Sequence, residues 1–365
     1  MRTLTPVDPT ELASLGETLS PFSIDGKLQG AKRLYQGHLH ATYVGEWSNP
    51  DGVVHRFIHQ RINTEAFPET KGMLENTVAV LDFLNSRPDY SFPAKLILVP
   101  TKETGFFLER ENEYWRSYKY VEGSISHDTC PDIAFAESLG RATGDFLYLL
   151  SGLSIEDLAD HSPGFQNTEV RWEQLQGALV DAENERREES AELLKEVEQV
   201  RSEAVRISQA ISSGKLREQV IHGDTKINNF LFSESSSEVL CLVDVDLCMR
   251  GSPLVDFGDL VRSACAIGRE DEPDLDQVGV DPSLISSVTK GFLESQLELT
   301  EEERELLPLA GFTISFNLTI RFLADYLGGD RYFPVTRPHH NLERAKAQVD
   351  LFRLSNLAED QKARP

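Results

Sequence analysis

The stretch His222-Gly-Asp-Thr-Lys-Ile-Asn-Asn229 places an acid two residues after a histidine, a lysine two beyond the acid and an asparagine five beyond it. A second acidic stretch, Leu242-Val-Asp-Val-Asp246, follows the first acid by about twenty residues. Two carboxylates and a carboxamide are hard oxygen donors. In this number they suit Mg²⁺, which binds one or two carboxylates, keeps waters and shares substrate phosphates. A carboxylate beside such a cation can also accept a hydrogen bond from a hydroxyl and take its proton.

The elements between must bring these residues together. The intervening FLFSESSSEVLCLV is apolar, then polar, then apolar, which reads as a hairpin. A turn centred between Ser236 and Ser237 would set Asn229 opposite Asp244, about 5 Å apart at Cα. Asp224 would lie just before the open end, in a loop after the short apolar pair Val220-Ile221. The same residues also suit a hairpin with polar ends and no metal.

Composition narrows the classes. The 365 residues suggest two domains or lobes. Acidic residues outnumber basic ones 60 to 36, a net charge of −24, which argues against a broad basic surface for nucleic acid. A small anion could still bind beside a metal or a local cation. The four cysteines, Cys130, Cys241, Cys248 and Cys265, form no CxxC pair and read as reduced thiols of a cytoplasmic protein. MRTLTPVDPTELASLG lacks the apolar run of a signal peptide, and no run of about 18 apolar residues predicts a membrane span.

The first third alternates like strands. AKRLYQGHLHATYVGEW and VVHRFIHQRIN flank a turn at Asp51-Gly52, and PETKGMLENTVAVLDFLNSR is helical in pattern. AKLILVP, GFFLER and YWRSYKYV are three more strand candidates, so residues 1–121 predict a small sheet with one helix. Residues 122–365 are mainly helical in pattern, with an acidic first turn expected for PDIAFAESLGRATGDFLYLLS. NERREESAELLKEVEQVRSEAVR reads as a solvated helix with mixed-sign charge pairs. The pair His38 and His40 lacks a third ligand. The acidic run from Asp271 lacks the glycine spacing of an EF-hand, and HHN at 339–341 reads as a helix start.

HGDTKINN resembles the catalytic loop of the protein-kinase-like phosphotransferases, the superfamily of protein kinases, choline kinases and aminoglycoside phosphotransferases, and LVDVD resembles their metal-binding strand end. GHLHATY, RFIHQRINTEAFPE, WRSYKYVEG, GSPLVDFGD and RFLADYLGGDRYF, in this order from Gly37 to His339-His340-Asn341, are similar to the N-acetylhexosamine 1-kinases. The resemblance implies an α+β, protein-kinase-like bilobal fold, with a nucleotide-binding N-lobe over 1–121 and a C-lobe over 122–365 that holds the catalytic hairpin and the sugar. It implies ATP and Mg²⁺ as cofactors and a small sugar as partner, with no nucleic acid or membrane.

The resemblance assigns Asp224 as the base that meets the sugar hydroxyl, Lys226 to the transferring phosphoryl oxygens, and Asn229 and Asp244 to the metal. His222 and Asp256 brace the loop. It assigns Gly37 and Thr42 to the nucleotide phosphates, the backbone of Tyr118, Tyr120 and Val121 to adenine, and Arg321, Asp325 and Tyr332 to the sugar. The N-lobe departs from the kinase pattern, having no GxGxxG and no strand lysine. Gln60 and Arg61 occupy that region, and alternation lets only one of them face the nucleotide. Three functions follow from this reading. The first is a 1-kinase for N-acetylglucosamine or N-acetylgalactosamine. The others are an aminoglycoside phosphotransferase and a nucleotide-binding pseudokinase.

Overall fold

The structure is a computed structural model that describes residues 4–34, 40–103, 105–110, 112–268, 272, 274–349 and 351. Gly37, His38 and Asp271, singled out above, lie outside the described residues. The chain forms two compact units. One comprises residues 1–124 with 157–161, the other 125–156 with 162–365.

The first unit is built on a six-stranded sheet in the order β1-β2-β3-β4-β6-β5. Its strands are β1 (Leu4–Pro6), β2 (Lys27–Leu34), β3 (Ala41–Ser48), β4 (Val54–Arg61), β5 (Phe107–Arg110) and β6 (Glu113–Lys119). Every neighbouring pair is antiparallel. The β3–β4 turn falls at Asp51-Gly52, where Gly52 takes φ 82° and donates to Asn49 O.

Among the described residues two α-helices belong to this unit, one more than expected. The additional one, α1 (Pro9–Leu19), starts from an Asp8 cap that accepts from Thr10 and Glu11, with Pro9 in the first turn. Its Leu15 and Leu19 close a core with Phe22, Tyr43, Trp47 and Trp115. The other, α2 (Thr70–Ser86), buries Met73, Leu74, Val80, Leu81 and Leu84. AKLILVP does not form a strand. It is held by a bridge from Leu98 to Tyr118 and by Lys119 N–H donating to Ile97 O. The strand-like composition of this segment fits a buried coil, because Leu96, Leu98 and Val99 are all buried.

Beyond β7 (Ser124–Ile125) the second unit contains α3 (Ile133–Leu150), α4 (Thr168–Asp181), α5 (Asn184–Ala204) and α6 (Arg206–Ser212). The strands β8 (Gln219–Ile221), β9 (Phe230–Ser233), β10 (Val239–Leu242) and β11 (Met249–Gly251) follow. Next come α7 (Pro253–Ala264), β12 (Ala266–Ile267), β13 (Gly279–Val280), α8 (Pro282–Leu293), α9 (Glu301–Leu306) and α10 (Ala310–Leu327). A last helix spans 340–349 and starts at the His339-His340-Asn341 stretch, as read.

α3 is capped by Asp132, which accepts from Ala134 and Phe135. The acid therefore sits at the cap rather than in the first turn. α3 and α8 meet backbone to backbone. A Cβ on Gly140 would fall 2.0 Å from Val288 O, and one on Gly291 2.0 Å from Glu137 O, so only glycine permits the contact. By length and composition, residues 301–327 pass for a membrane span (mean hydropathy 1.4), but 78% of that window is buried within the molecule as core helix.

Candidate active site

Pairing of β8 with β11, Ile221 against Met249, fixes the start of the HGDTKINN loop. The hairpin β9–β10 fixes its end. Gly223 turns the loop with φ 80°, and a Cβ there would meet Leu247 O at 2.3 Å. Within the loop, Asp224 Oδ2 lies 2.8 Å from Lys226 Nζ and 2.9 Å from Asn229 Nδ2. Asn229 Nδ2 also donates to Asp224 O at 2.7 Å. Both amide hydrogens are thereby committed, and Oδ1 is left as the acceptor of the buried Asn229. Burial pushes the Asp224 carboxyl up. The Lys226 ammonium, His222 and the Asn229 bond outweigh it, so its pKa lies below the ordinary carboxylate value.

The hairpin is displaced by one residue from the expected register. A bulge between Val239 and Cys241 shifts the pairing to Leu231–Cys241 and Phe230–Leu242. Asn229 O therefore accepts from Val243 N–H, 2.9 Å away, and not from the residue after it. Asp244 follows immediately in the left-handed region, φ 65°, ψ 54°. Asn229 and Asp244 still share the open end of the hairpin. Their donor set, a carboxamide oxygen and a carboxylate, fits a hard divalent cation that draws its remaining ligands from water or phosphate. Among the described residues no three His, Cys, Asp or Glu side chains form a metal cage.

The loop is braced from behind by α7. Asp256, 0% exposed, accepts the His222 N–H at 2.7 Å and the Gly223 N–H at 2.8 Å, and its backbone O accepts from Thr225 Oγ1 at 2.6 Å. Ser263 Oγ accepts from Ile227 N–H at 3.1 Å. His222 Nε2 lies 3.1 Å from Val243 O, while Nδ1 accepts the Asp224 N–H at 3.3 Å. The neutral Nε2–H tautomer satisfies both bonds and ties the loop to the hairpin. Phe146 of α3 packs on the imidazole with centroids 5.6 Å apart. Burial pushes the Asp256 carboxyl up to about 6 against the pull of His222 and the two N–H donors.

In the first unit the structure distinguishes Gln60 from Arg61. Arg61 points to the more exposed face and pairs with Glu113 at 3.1 Å. Gln60 turns inward, donating to Thr42 Oγ1 (3.3 Å) and accepting from Arg116 Nε (2.9 Å). Arg116 lies opposite Gln60 across β4–β6, is 1% exposed and also reaches Thr77 of α2. A buried cation thus stands one strand away from the position where the kinase pattern has lysine. Sequence reading missed Arg116; the only signal was an arginine set among strand aromatics. Tyr118 is buried on β6, Tyr120 carries the Arg56 guanidinium 4.1 Å over its ring, and Val121 O accepts from Ser124 Oγ.

Arg321, Asp325 and Tyr332 line one cavity of about 340 Å³ in the second unit, with Arg171, Gln174 and Phe333. Asp325 serves there as an organiser. Oδ1 accepts from the N–H groups of Arg331 and Tyr332, and Oδ2 from Phe333 N–H and Asn341 Nδ2, all within 2.9 Å. These four bonds fill the lone pairs of its carboxylate and hold the loop that presents Tyr332 and Phe333. Two contacts link the lining of this cavity to the HGDTKINN loop by way of Phe165-Gln166. Arg321 lies 4.5 Å over the Phe165 ring, and Gln166 Nε2 donates to Gly223 O at 3.3 Å. Arg171 and Phe165 went unread in the sequence because nothing in local spacing joins residue 165 to residue 321.

A family model for the phosphotransferase enzyme family (APH) matches residues 34–279. Among solved structures, an amicoumacin kinase, hAmiN, in complex with AMP-PNP, Ca²⁺ and Ami is similar at TM-score 0.60. It is 13% identical, over 95% of this chain and 94% of that one. A microcompartment-associated aminopropanol kinase gives 0.58 at 16% identity, over 96% and 98%. Spectinomycin phosphotransferase APH(9)-Ia, in complex with ADP and spectinomycin, gives 0.56 at 13% identity, over 98% and 99%. Identities this low speak for a shared fold, the protein-kinase-like α+β fold of a β-sheet N-terminal region and a helical C-terminal region.

Proposed function

From the premise that this chain belongs to the phosphotransferase enzyme family, we propose that it is an ATP- and Mg²⁺-dependent kinase that phosphorylates the anomeric hydroxyl of an N-acetylhexosamine. The observation that carries the kinase reading is that Lys226 and Asn229 both reach Asp224 Oδ2, at 2.8 and 2.9 Å. The sugar reading is supported by the resemblance of the Arg321–Phe333 segment and by the cavity that Arg321 and Tyr332 line in the same unit as the loop.

Phosphoryl transfer asks mainly for positioning and charge stabilisation. Asp224, kept ionised by Lys226, accepts the hydrogen bond of the acceptor hydroxyl and aims its oxygen. As the O–P bond forms and the bond to the leaving ADP breaks, the hydroxyl proton passes to Asp224. Lys226, paired with Asp224 at 2.8 Å, would exchange that bond for one to the transferring phosphoryl oxygens. Asn229 and Asp244 would hold Mg²⁺, whose chemistry is to neutralise phosphate charge. In the first unit, Thr42 and Gln60 would offer their polar groups to phosphate and Tyr118, Tyr120 and Val121 their backbone to adenine. The Gln60 donor is turned toward Thr42 by buried Arg116.

The test is ADP release with free N-acetylglucosamine or N-acetylgalactosamine beside the matching methyl glycosides, with phosphorus NMR of the product. Turnover of the free sugar alone is expected, since the methyl group blocks O1. Equal turnover of both would refute the 1-kinase assignment. Turnover of an aminoglycoside in place of either sugar would move the enzyme to the antibiotic-modifying branch, and nucleotide binding without ADP release would make it a pseudokinase.

A further inference from the structure

Two guanidinium groups that line the cavity of the second unit lie over one aromatic ring. Arg171 lies 5.1 Å and Arg321 4.5 Å from the Phe165 centroid, and Arg321 also faces Phe333 (5.4 Å) and Tyr332 (6.0 Å). Arg171 donates through Nε to Phe165 O and through Nη1 to Gln174 Oε1, both at 2.8 Å, which fixes its plane without neutralising its charge. Among the described residues no carboxylate pairs with Arg171. The acid of this cavity, Asp325, has its lone pairs filled by backbone and amide donors.

Partial burial and the neighbouring Arg321 push the Arg171 guanidinium down to about 10. A charge such as that of Arg171, without a carboxylate partner and partly removed from water, is costly, and a second guanidinium beside it adds to the cost. In a chain with a net charge of −24, such a pair also runs against the prevailing composition. The planar fork of arginine is suited to carboxylate and phosphate.

We infer that Arg171 and Arg321 form an anion subsite within the acceptor pocket, so that the preferred acceptor carries a carboxylate or phosphate as well as the hydroxyl to be phosphorylated. Phe165 is the floor of this subsite, and Gln166, next in the chain, bonds to the catalytic loop at Gly223. The two arginines are thereby joined to the catalytic loop through the Phe165-Gln166 step. This inference rests on the reading of the pocket as the acceptor site. It narrows the preferred acceptor to an N-acetylhexosamine that also carries an acidic group.

Calorimetric titration tests it without requiring turnover. The probes are N-acetylglucosamine, its 6-phosphate and its 3-O-carboxymethyl ether, which place the anion on either side of C4 and leave O1 free. A charge-assisted arginine contact should make the better acidic probe bind about 10- to 100-fold more tightly than the neutral sugar. In Arg171→Gln that ratio should fall by about tenfold. Wild-type affinities equal for neutral and acidic probes would overturn the subsite, as would an unchanged ratio in the variant. Where the variant does not fold, the wild-type ratio alone decides. ADP release from neutral N-acetylglucosamine without any acidic preference would leave the kinase reading standing and remove only the subsite.

Discussion

Asp256→Asn isolates one interaction behind the catalytic loop. The wild-type carboxylate accepts two backbone N–H groups while fully buried, and burial raises its pKa from 3.8 to about 6. The folded state therefore binds this proton more tightly than the unfolded chain does. The stabilisation from this group is fully present below about pH 4 and is lost as the pH rises through about 6. At 1.36 kcal/mol per pH unit, the loss amounts to about 3 kcal/mol. Asparagine does not titrate, so the variant lacks this dependence. It keeps one acceptor oxygen, while its Nδ2 faces the second N–H, a mismatch that costs about 1–3 kcal/mol at every pH.

Urea unfolding should accordingly show the wild-type advantage over Asp256→Asn shrinking by about 3 kcal/mol between pH 4 and pH 8. Trp172 fluorescence reports on the same unit as Asp256. Titrations elsewhere cancel in the difference between the two proteins. A gap that stays constant, or that widens with pH, would show that the N–H donors outweigh burial and that Asp256 is an ordinary ionised brace.

Asp224→Asn should preserve folding and nucleotide affinity yet lower kcat by at least about 10²-fold, the usual worth of a general base. Near wild-type turnover would remove Asp224 from the chemistry. Asp244→Ala should abolish the Mg²⁺ dependence of ATP binding, and Asn229→Ala should weaken it, both read by titration at fixed nucleotide. Unchanged Mg·ATP affinity in Asp244→Ala would refute the metal assignment. Gln60→Lys would set an ammonium against buried Arg116 instead of restoring a kinase lysine. It should lower the melting temperature by several degrees, as a loss of about 1–2 kcal/mol does, and Arg116→Met in the same chain should recover most of that loss.

What could be read in advance was local. Loop and hairpin are contiguous in sequence, so spacing alone brought Asp224, Lys226 and Asn229 together. The turn pairs Phe232 with Val239, two residues off the expected register, and the bulge recovers one of them, so Asn229 bonds to Val243 and not Asp244; neither shift carries a compositional mark. Alternation separated Gln60 from Arg61 in principle, but choosing between them needed the partners, Arg116 on β6 and Glu113 at its start. AKLILVP had the composition of a strand and became buried coil, since burial and strand pairing favour the same residues. The Arg171–Phe165–Arg321 cluster joins a loop before α4 to the far part of α10, and such contacts leave no periodic trace.

The glycine seam between α3 and α8 has a consequence well away from the helices that form it. α3 supplies Phe146 to the His222 ring, and its Leu147 O accepts from Gln219 Nε2 on the strand that leads into the catalytic loop. Alanine at Gly140 or Gly291 would put a methyl about 2.0 Å from a carbonyl oxygen of the other helix, so α3 would have to move. A displacement of about 1 Å at a reacting group can cost about 10²-fold in rate. An unbiased screen for inactive variants should therefore return these two glycines beside the reactive residues, as lesions of alignment in a protein that still folds.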